Sequence, residues 1–207
     1  MKKTILILGI ATAIIFSACT KDNNQSSSTC TITGVSYNVR DLPADTVIGV
    51  NPRQEGYGAG KKTYYSLANN SIVPSSDSLT TNWDLAIIAT EIYINKNNGS
   101  LAGGFIYNGS FDGLCSVPTD STFSTNALPF SNWYKFDMTN FVVTPNLNNI
   151  LVVRTTSGKY AKIEISNYYK GGVTPTSASD PTFYDRTYNP RYYTFRYIYQ
   201  PNGTTNF

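Results

Sequence analysis

"RYYTFRYIYQPNGTTNF" (residues 191–207) ends the chain, and its alternation decides the fold class. Tyr193, Phe195, Tyr197 and Tyr199 fall on one side of an extended segment, and Thr194, Arg196, Ile198 and Gln200 on the other. That is the period-two pattern of a half-buried β-strand. Each aromatic ring brings a large apolar area to the core. Chain termini fray unless something ties them down, so a terminus of this composition is expected to act as a closing strand, covering a sheet edge that would otherwise stay unpaired. Pro201, Asn202 and Gly203 mark a turn, and a short tail runs on to Phe207.

The rest of the body repeats this pattern. "NILVVRTTSGKYAKIEISNYY" (149–169) predicts a hairpin: Ile150 to Arg154 run up, Thr156-Ser157-Gly158 turn, and Lys159 to Tyr168 return. Ala161, Ile163 and Ile165 share one face of the returning strand, with Tyr160, Lys162 and Glu164 opposite. "KTYYSLANNSIVPSS" (62–76) reads as strand, tight turn at Asn69-Asn70, strand. Residues 82–94 read as one long strand with Trp83, Leu85, Ile87 and Ala89 on one face, ended by the turn residues Asn97-Asn98-Gly99. Gly103 and Gly104 interrupt the next apolar stretch, where a bulge or a close backbone approach is expected. A loop rich in Gly, Pro and Ser fills 171–190, and no long segment keeps a 3.6-residue apolar period. The body therefore reads as one all-β domain.

The front of the chain carries an export signal. In "MKKTILILGIATAIIFSACTKDNN" (1–24), Lys2 and Lys3 precede an apolar run from Thr4 to Phe16, and Ser17-Ala18 lead into Cys19. The run is shorter than the ~20 residues a membrane helix needs and fits a signal peptide. Phe16-Ser17-Ala18-Cys19 resembles the bacterial lipobox, which makes Cys19 the lipidated N-terminus of the mature chain. Several acyl chains, each contributing about 0.8 kcal/mol per buried methylene, hold a protein on a membrane durably. The expected division is a signal peptide over 1–18, a lipidated Cys and flexible tether over 19–30, and the β domain over 31–207. Cys30 and Cys115 then remain. An oxidising compartment permits a disulfide between them, and two separate thiols fit the sequence equally well.

Charge and missing residues exclude several functions. Losing Lys2 and Lys3 with the signal peptide lowers the formal charge of +3 by two. The near-neutral body has no basic face for nucleic acid and none of the recognition motifs. The chain has no histidine, which removes the usual general base and the commonest metal ligand. Its carboxylates are scattered, Asp84 reads as a polar partner on the outward face of a strand, and no phosphate-binding motif is present. An enzyme is not expected, and no metal site beyond the haem question below is predicted.

"NWDLAI" (82–87), "LVVRTTSGKYAKIEISNYY" (151–169) and "YYTFRYIYQPNGTTNF" (192–207) together resemble the HmuY family of Bacteroidetes haem-acquisition lipoproteins. The resemblance implies a β-rich domain that holds haem in an open cleft and passes it to a TonB-dependent outer-membrane receptor. It also implies a lipid-anchored position at the outer membrane, exposed on the surface or facing the periplasm. The best-known members clamp haem iron between two axial histidines, and some relatives use methionine. Here Phe141, which cannot ligate iron, stands closest to where a histidine is expected. Met138 is the one thioether of the mature chain, with Tyr134 or Tyr107 as candidate second ligands; as an ordinary residue, Met138 would fill a gap in the core. Two functions follow: haem or porphyrin capture, or a surface lipoprotein of this fold that has lost iron ligation and binds another small ligand or a matrix or protein partner.

Overall fold

The computed structural model describes residues 30–46, 60–125, 130–140, 142–175 and 190–207. Its strands are β1 (Val35–Pro43), β2 (Thr63–Ser66), β3 (Ser71–Val73), β4 (Leu85–Ile88), β5 (Glu91–Ile94), β6 (Gly103–Asn108), β7 (Tyr134–Asp137), β8 (Val142–Pro145), β9 (Asn149–Arg154), β10 (Tyr160–Tyr169) and β11 (Pro190–Gln200). One short 3-10 turn spans Ser75–Asp77, and the fold is all-β.

The aromatic C-terminal strand, β11, lies inside its sheet. The order is β1-β11-β10-β9-β6, so β11 pairs antiparallel with β10 on one side and with β1 on the other. This corrects the expectation that it closes an edge: the N-terminal strand takes the edge and covers it. A second sheet, β3-β2-β4-β5, packs face to face on the first, and β7 and β8 form a separate ribbon. Leu85, Ile87 and Ile92 of the small sheet meet Leu151, Ile163, Ile165, Tyr193 and Phe195 of the large one. All four aromatics of the alternating set on β11 are buried there. At ~1.5–3 kcal/mol for each fully buried large apolar side chain, they account for much of what holds the sandwich together.

The other face of the five-stranded sheet is covered too, by the segment 109–125 and the tail. Phe111, Leu114, Val117 and Phe207 close over Ile150, Val152 and Ile198. Gly103 and Gly104 provide the expected close approach: a Cβ on Gly104 would fall 2.7 Å from both Ile94 Cδ1 and Phe130 Cζ. Cys30 and Cys115 form a disulfide beside the tail, where Phe207 N–H donates to the Cys115 carbonyl and the Phe207 carbonyl accepts from Thr33 N–H.

Three expectations change. Residues 82–94 are two strands, because the chain reverses at Ala89-Thr90 and Ile88 pairs with Glu91. No Gly, Pro or Asn marks that turn; long-range hydrogen bonds hold it, as described below. Asp84 points inward, accepting from Leu67 N–H at 2.8 Å and from the N–H and hydroxyl of Thr156 at 3.1 and 3.3 Å. Burial pushes its carboxyl up from the ordinary range, against the pull of those donors. Lys162, expected on a polar face, is 1% exposed. Its Nζ donates to the carbonyls of Phe111 and Leu114 at 2.7 Å each and sits 4.5 Å over the Phe111 ring.

Candidate functional site

The end of the sandwich where β11 begins gathers most of the unusual chemistry. Trp133, at the foot of the β7–β8 ribbon, is buried against Tyr134, Tyr168 and Tyr193, with ring centroids 4.8, 5.9 and 5.1 Å away. Its indole N–H donates to the Thr90 carbonyl at 2.9 Å, and the Tyr193 hydroxyl donates to the Ala89 carbonyl at 2.7 Å. Tyr134 reaches the Thr90 hydroxyl at 3.4 Å, while the Tyr169 hydroxyl accepts from Val143 N–H and holds β8 to the sheet. Burial raises the phenols of Tyr169 and Tyr193, the latter well above the ordinary value of 10. Both therefore stay neutral, as hydrogen-bonding groups and not as tyrosinates.

The backbone is strained at the same end. Asp45 (φ 64°), Ala89 (φ 49°) and Arg191 (φ 71°) all occupy the left-handed region, a conformation that costs non-glycine residues free energy. Ala44 N–H donates to the Arg191 carbonyl, and Ala89 N–H to the Ala44 carbonyl, so the three strained positions join in one knot. The Arg191 guanidinium contacts the Asp45 backbone carbonyl at 3.1 Å and its carboxylate at 3.5 Å, and that carboxylate also accepts from Gly60 and Lys61 N–H.

The structure scatters the iron-ligand candidates. Met138 follows β7 at the turn of the ribbon and is 73% exposed. It therefore does not fill a core gap: the tight reversal there throws its side chain into solvent. Tyr134 opens the same strand four residues earlier, roughly 13 Å away along an extended chain, with its ring against Trp133. Tyr107 lies on β6 and packs with the cluster on the outer face of the five-stranded sheet, whereas Tyr134 packs with the inner core. Phe141 and Cys19 lie outside the described residues. Among the described residues, no group of three or more His, Cys, Asp or Glu side chains could hold a metal ion. A cavity of about 10 Å³ between the sheets, lined by Leu85, Ile87, Ile92, Leu151, Ile163, Ile165, Tyr193 and Phe195, is wholly apolar. Its size is that of a packing defect, at the lower limit for one water.

The sequence reading passed over Trp133, Arg191 and the Ala89-Thr90 turn. Trp133 had a weak signal, an aromatic pair with Tyr134 ahead of a short strand. Arg191 and Ala89 had none, because nothing local marks a left-handed arginine or alanine.

No family profile matches the chain, and no curated protein matches it. Several solved structures are similar to it, three of them as follows. One is a candidate lipoprotein from Bacteroides fragilis NCTC 9343, with 20% identity over 83% of this chain and 93% of that one, at a TM-score of 0.49. The second is the apo form of a Tannerella forsythia HmuY analogue, with 14% identity over 81% and 96%, at 0.47. The third is a candidate HmuY-like haem-binding protein from Bacteroides vulgatus ATCC 8482, with 16% identity over 67% and 85%, at 0.42.

Proposed function

We propose that the chain is a lipid-anchored, non-catalytic binding protein of HmuY-like architecture at the outer membrane, whose binding does not run through iron ligation. The anchor is Cys19, reached by the export signal and the short apolar run before it. The family comes from the resemblance of residues 82–87, 151–169 and 192–207. One observation carries the loss of ligation: a chain without histidine has Tyr107 on the outer face of the large sheet and Tyr134 and Met138 at the two ends of β7, with Met138 in solvent. Two axial ligands must meet one iron from opposite sides, and these side chains do not converge. The ligand class is then another small molecule, or a matrix or protein partner.

The test is a titration of the chain from Thr20 onward with haemin, ferric and then reduced, and in parallel with metal-free protoporphyrin. The expected result is no difference between haemin and the metal-free ring, and no effect of Met138→Ala. Saturation at one haem per chain, tighter in the ferrous state and weakened by Met138→Ala, restores the haem-capture reading, with delivery to a TonB-dependent receptor. The anchor is tested separately: Cys19→Ala is expected to release the chain from the membrane fraction or leave an unprocessed precursor.

A further inference from the structure

The two flanks of the sandwich differ in what closes them. On one, the last strand of each sheet is occupied: Gly104 of β6 exchanges backbone hydrogen bonds with Ser124, and Phe130 N–H donates to the Ile92 carbonyl of β5. On the other flank β1 and β3 come last, and among the described residues neither pairs with a strand other than its sheet neighbour. The Tyr65 ring meets that of Phe195, and the Tyr197 hydroxyl reaches the Leu67 carbonyl. Strand β2 therefore lies over β11, and the two open edges share one side of the molecule.

Hydrogen bonding fixes which groups of β1 point outward. Thr155 N–H donates to the Lys159 carbonyl, and the hairpin register then bonds Ala161 and Ile163 to β9. Alternation turns Tyr160, Lys162 and Glu164 toward β11, and turns Phe195, Tyr197 and Tyr199 toward β1, opposite Val39, Tyr37 and Val35. Ser36 and Asn38 therefore carry their N–H and C=O groups away from the sheet. Tyr37 and Val39 pack on the inner side, the Tyr37 ring stacked 4.8 Å from that of Tyr197.

Natural proteins blunt such edges with charge, bulges or proline. Strand β1 has these devices only from Arg40 onward: the register shifts between Val39 and Leu42, Asp41 sits at φ 54°, Arg40 and Asp41 are tied to Gly171, and Pro43 ends the strand. The stretch from Val35 to Val39 has none of them and carries no charge. Val35 at 43% exposure and Ile72 of β3 at 52% leave apolar surface along the same flank.

We propose that this edge pairs with the same edge of a second copy of the chain, antiparallel about a two-fold axis at Tyr37. Val35-Ser36-Tyr37-Asn38-Val39 keeps its order of residue classes when reversed, which is what a self-complementary, two-fold contact requires. The axis sets Val35 opposite Val39 of the second copy, Ser36 opposite Asn38 of the second copy, and the two Tyr37 residues opposite each other. Ser36 and Asn38 hold the outward backbone groups, so each Ser36–Asn38 pair exchanges both of its hydrogen bonds, and Tyr37 forms the closer, non-hydrogen-bonded pair. No like charges meet, because Arg40 falls opposite Gly34 and Asp41 opposite Thr33. The large sheet then runs on across the axis, with the apolar residues of both flanks on one side. A strand from another protein would find the same backbone groups but not this symmetry. The pairing adds a partner to the proposed function and does not depend on its ligand or its anchor.

The experiment uses the full chain purified in mild detergent, with copper-catalysed oxidation and the linked peptides read by mass spectrometry. Tyr37→Cys is expected to give a dimer linked through residue 37, since facing Cα atoms of such a pair lie about 4.5 Å apart, within disulfide reach. Val35→Cys is expected to give no link, because its counterpart lies across from Val39. Ser36→Pro in the Tyr37→Cys chain removes the outward N–H without touching a bond to β11, and is expected to cut the linked fraction several-fold. Tyr37→Cys also deletes a stacked ring. If that chain does not unfold cooperatively, chains carrying Ser36→Cys and Asn38→Cys, both at exposed positions, are mixed, and the link is expected between the two and in neither alone. Equal linkage at residues 35 and 37, or linkage that Ser36→Pro leaves unchanged, overturns the paired register. A folded chain with no link in either design overturns the second copy as the occupant of this edge. A link from residue 37 to a different co-purifying protein assigns the edge to a foreign strand and overturns it as well.

Discussion

The inner face of the five-stranded sheet meets a second sheet, whereas its outer face, among the described residues, is covered by the segment 109–125, the last residues of the chain and the stretch that enters β1. The inner contact is regular: strands face strands, aromatic rings alternate with aliphatics, and the Tyr193 and Tyr197 hydroxyls donate to the backbone carbonyls of Ala89 and Leu67. The outer cover has no ladder to hold it and is fastened point by point. Lys162 takes two carbonyls. Arg196 bridges Glu164 and Asp112 over the Phe111 ring, Cys115 is bonded to Cys30, and Phe207 is tied at both its N–H and its carbonyl. A broad apolar face tolerates local loss, while a cover held by a few clamps depends on each of them.

The comparison breaks first if β11 is removed. A chain ended at Gly172 loses the strand that both β1 and β10 pair with, and the four aromatics buried on it. At ~1.5–3 kcal/mol each these rival the whole net stability of a domain, 5–15 kcal/mol. No cooperative urea transition is expected; a transition near the wild-type midpoint would make β11 peripheral. A smaller and more local effect is expected from Cys115→Ala. The disulfide closes a sequence separation of 85 residues, and in the chain-entropy model its loss costs about 4 kcal/mol. Hydrogen exchange should show the amides of 109–117 losing protection before those of β10 and β11. Uniform loss across both sheets would mean that the outer cover is not a separate unit.

This contrast also explains what could be read from the sequence. Alternation on β10 and β11 gave the correct inner residues, because period two separates the faces of any strand. It could not say what covers the other face, so it put Lys162 opposite the apolar residues without showing that this face is buried as well. The Ala89-Thr90 turn was missed for a related reason: the groups that hold it, Trp133 and Tyr193, lie 43 and 104 residues away. At the candidate site, residue chemistry named Met138 and Tyr134 but not their separation, since reach across a ribbon depends on where the chain reverses.

Lys162 sharpens the comparison with a pH dependence. Burial holds its ammonium down to about 8, from an ordinary 10.5; the charge of Asp112 pulls it back up, Arg196 lowers it and Glu164 raises it. Between pH 8 and 10.5 the unfolded chain therefore binds more protons at this group than the folded one, and the group's contribution to stability rises with pH. Lys162→Met keeps an apolar stem among Phe111 and Phe207 but leaves two buried carbonyls without a donor. The expected cost is about 2–3 kcal/mol at neutral pH. The gap between wild type and variant should widen from pH 8 to 10. The tyrosines, raised by burial, are common to both chains and cancel. A gap that stays flat or narrows over that range would place Lys162 in contact with water.

The smallest effect tests the strained knot at the Trp133 end, and it is expected to stabilise. Ala89 is half-exposed at φ 49°, so its methyl adds little packing while its backbone bears the left-handed penalty, about 1–2 kcal/mol for an L-residue. Ala89→Gly removes that penalty and gives the unfolded chain more freedom, which returns ~0.4–1 kcal/mol. The balance is a gain of about 0.5–1 kcal/mol, or roughly 2–3 °C in Tm for a domain of this size. Tyr193→Phe supplies the control, because it takes the hydroxyl from the Ala89 carbonyl and should lower Tm by a comparable amount. If Ala89→Gly instead lowers Tm while Tyr193→Phe is neutral, the turn is not held against strain by the distant aromatics. Ala89 would then be there for its methyl, and the knot joining Ala44, Ala89 and Arg191 would be a consequence of the ribbon's packing and not its support.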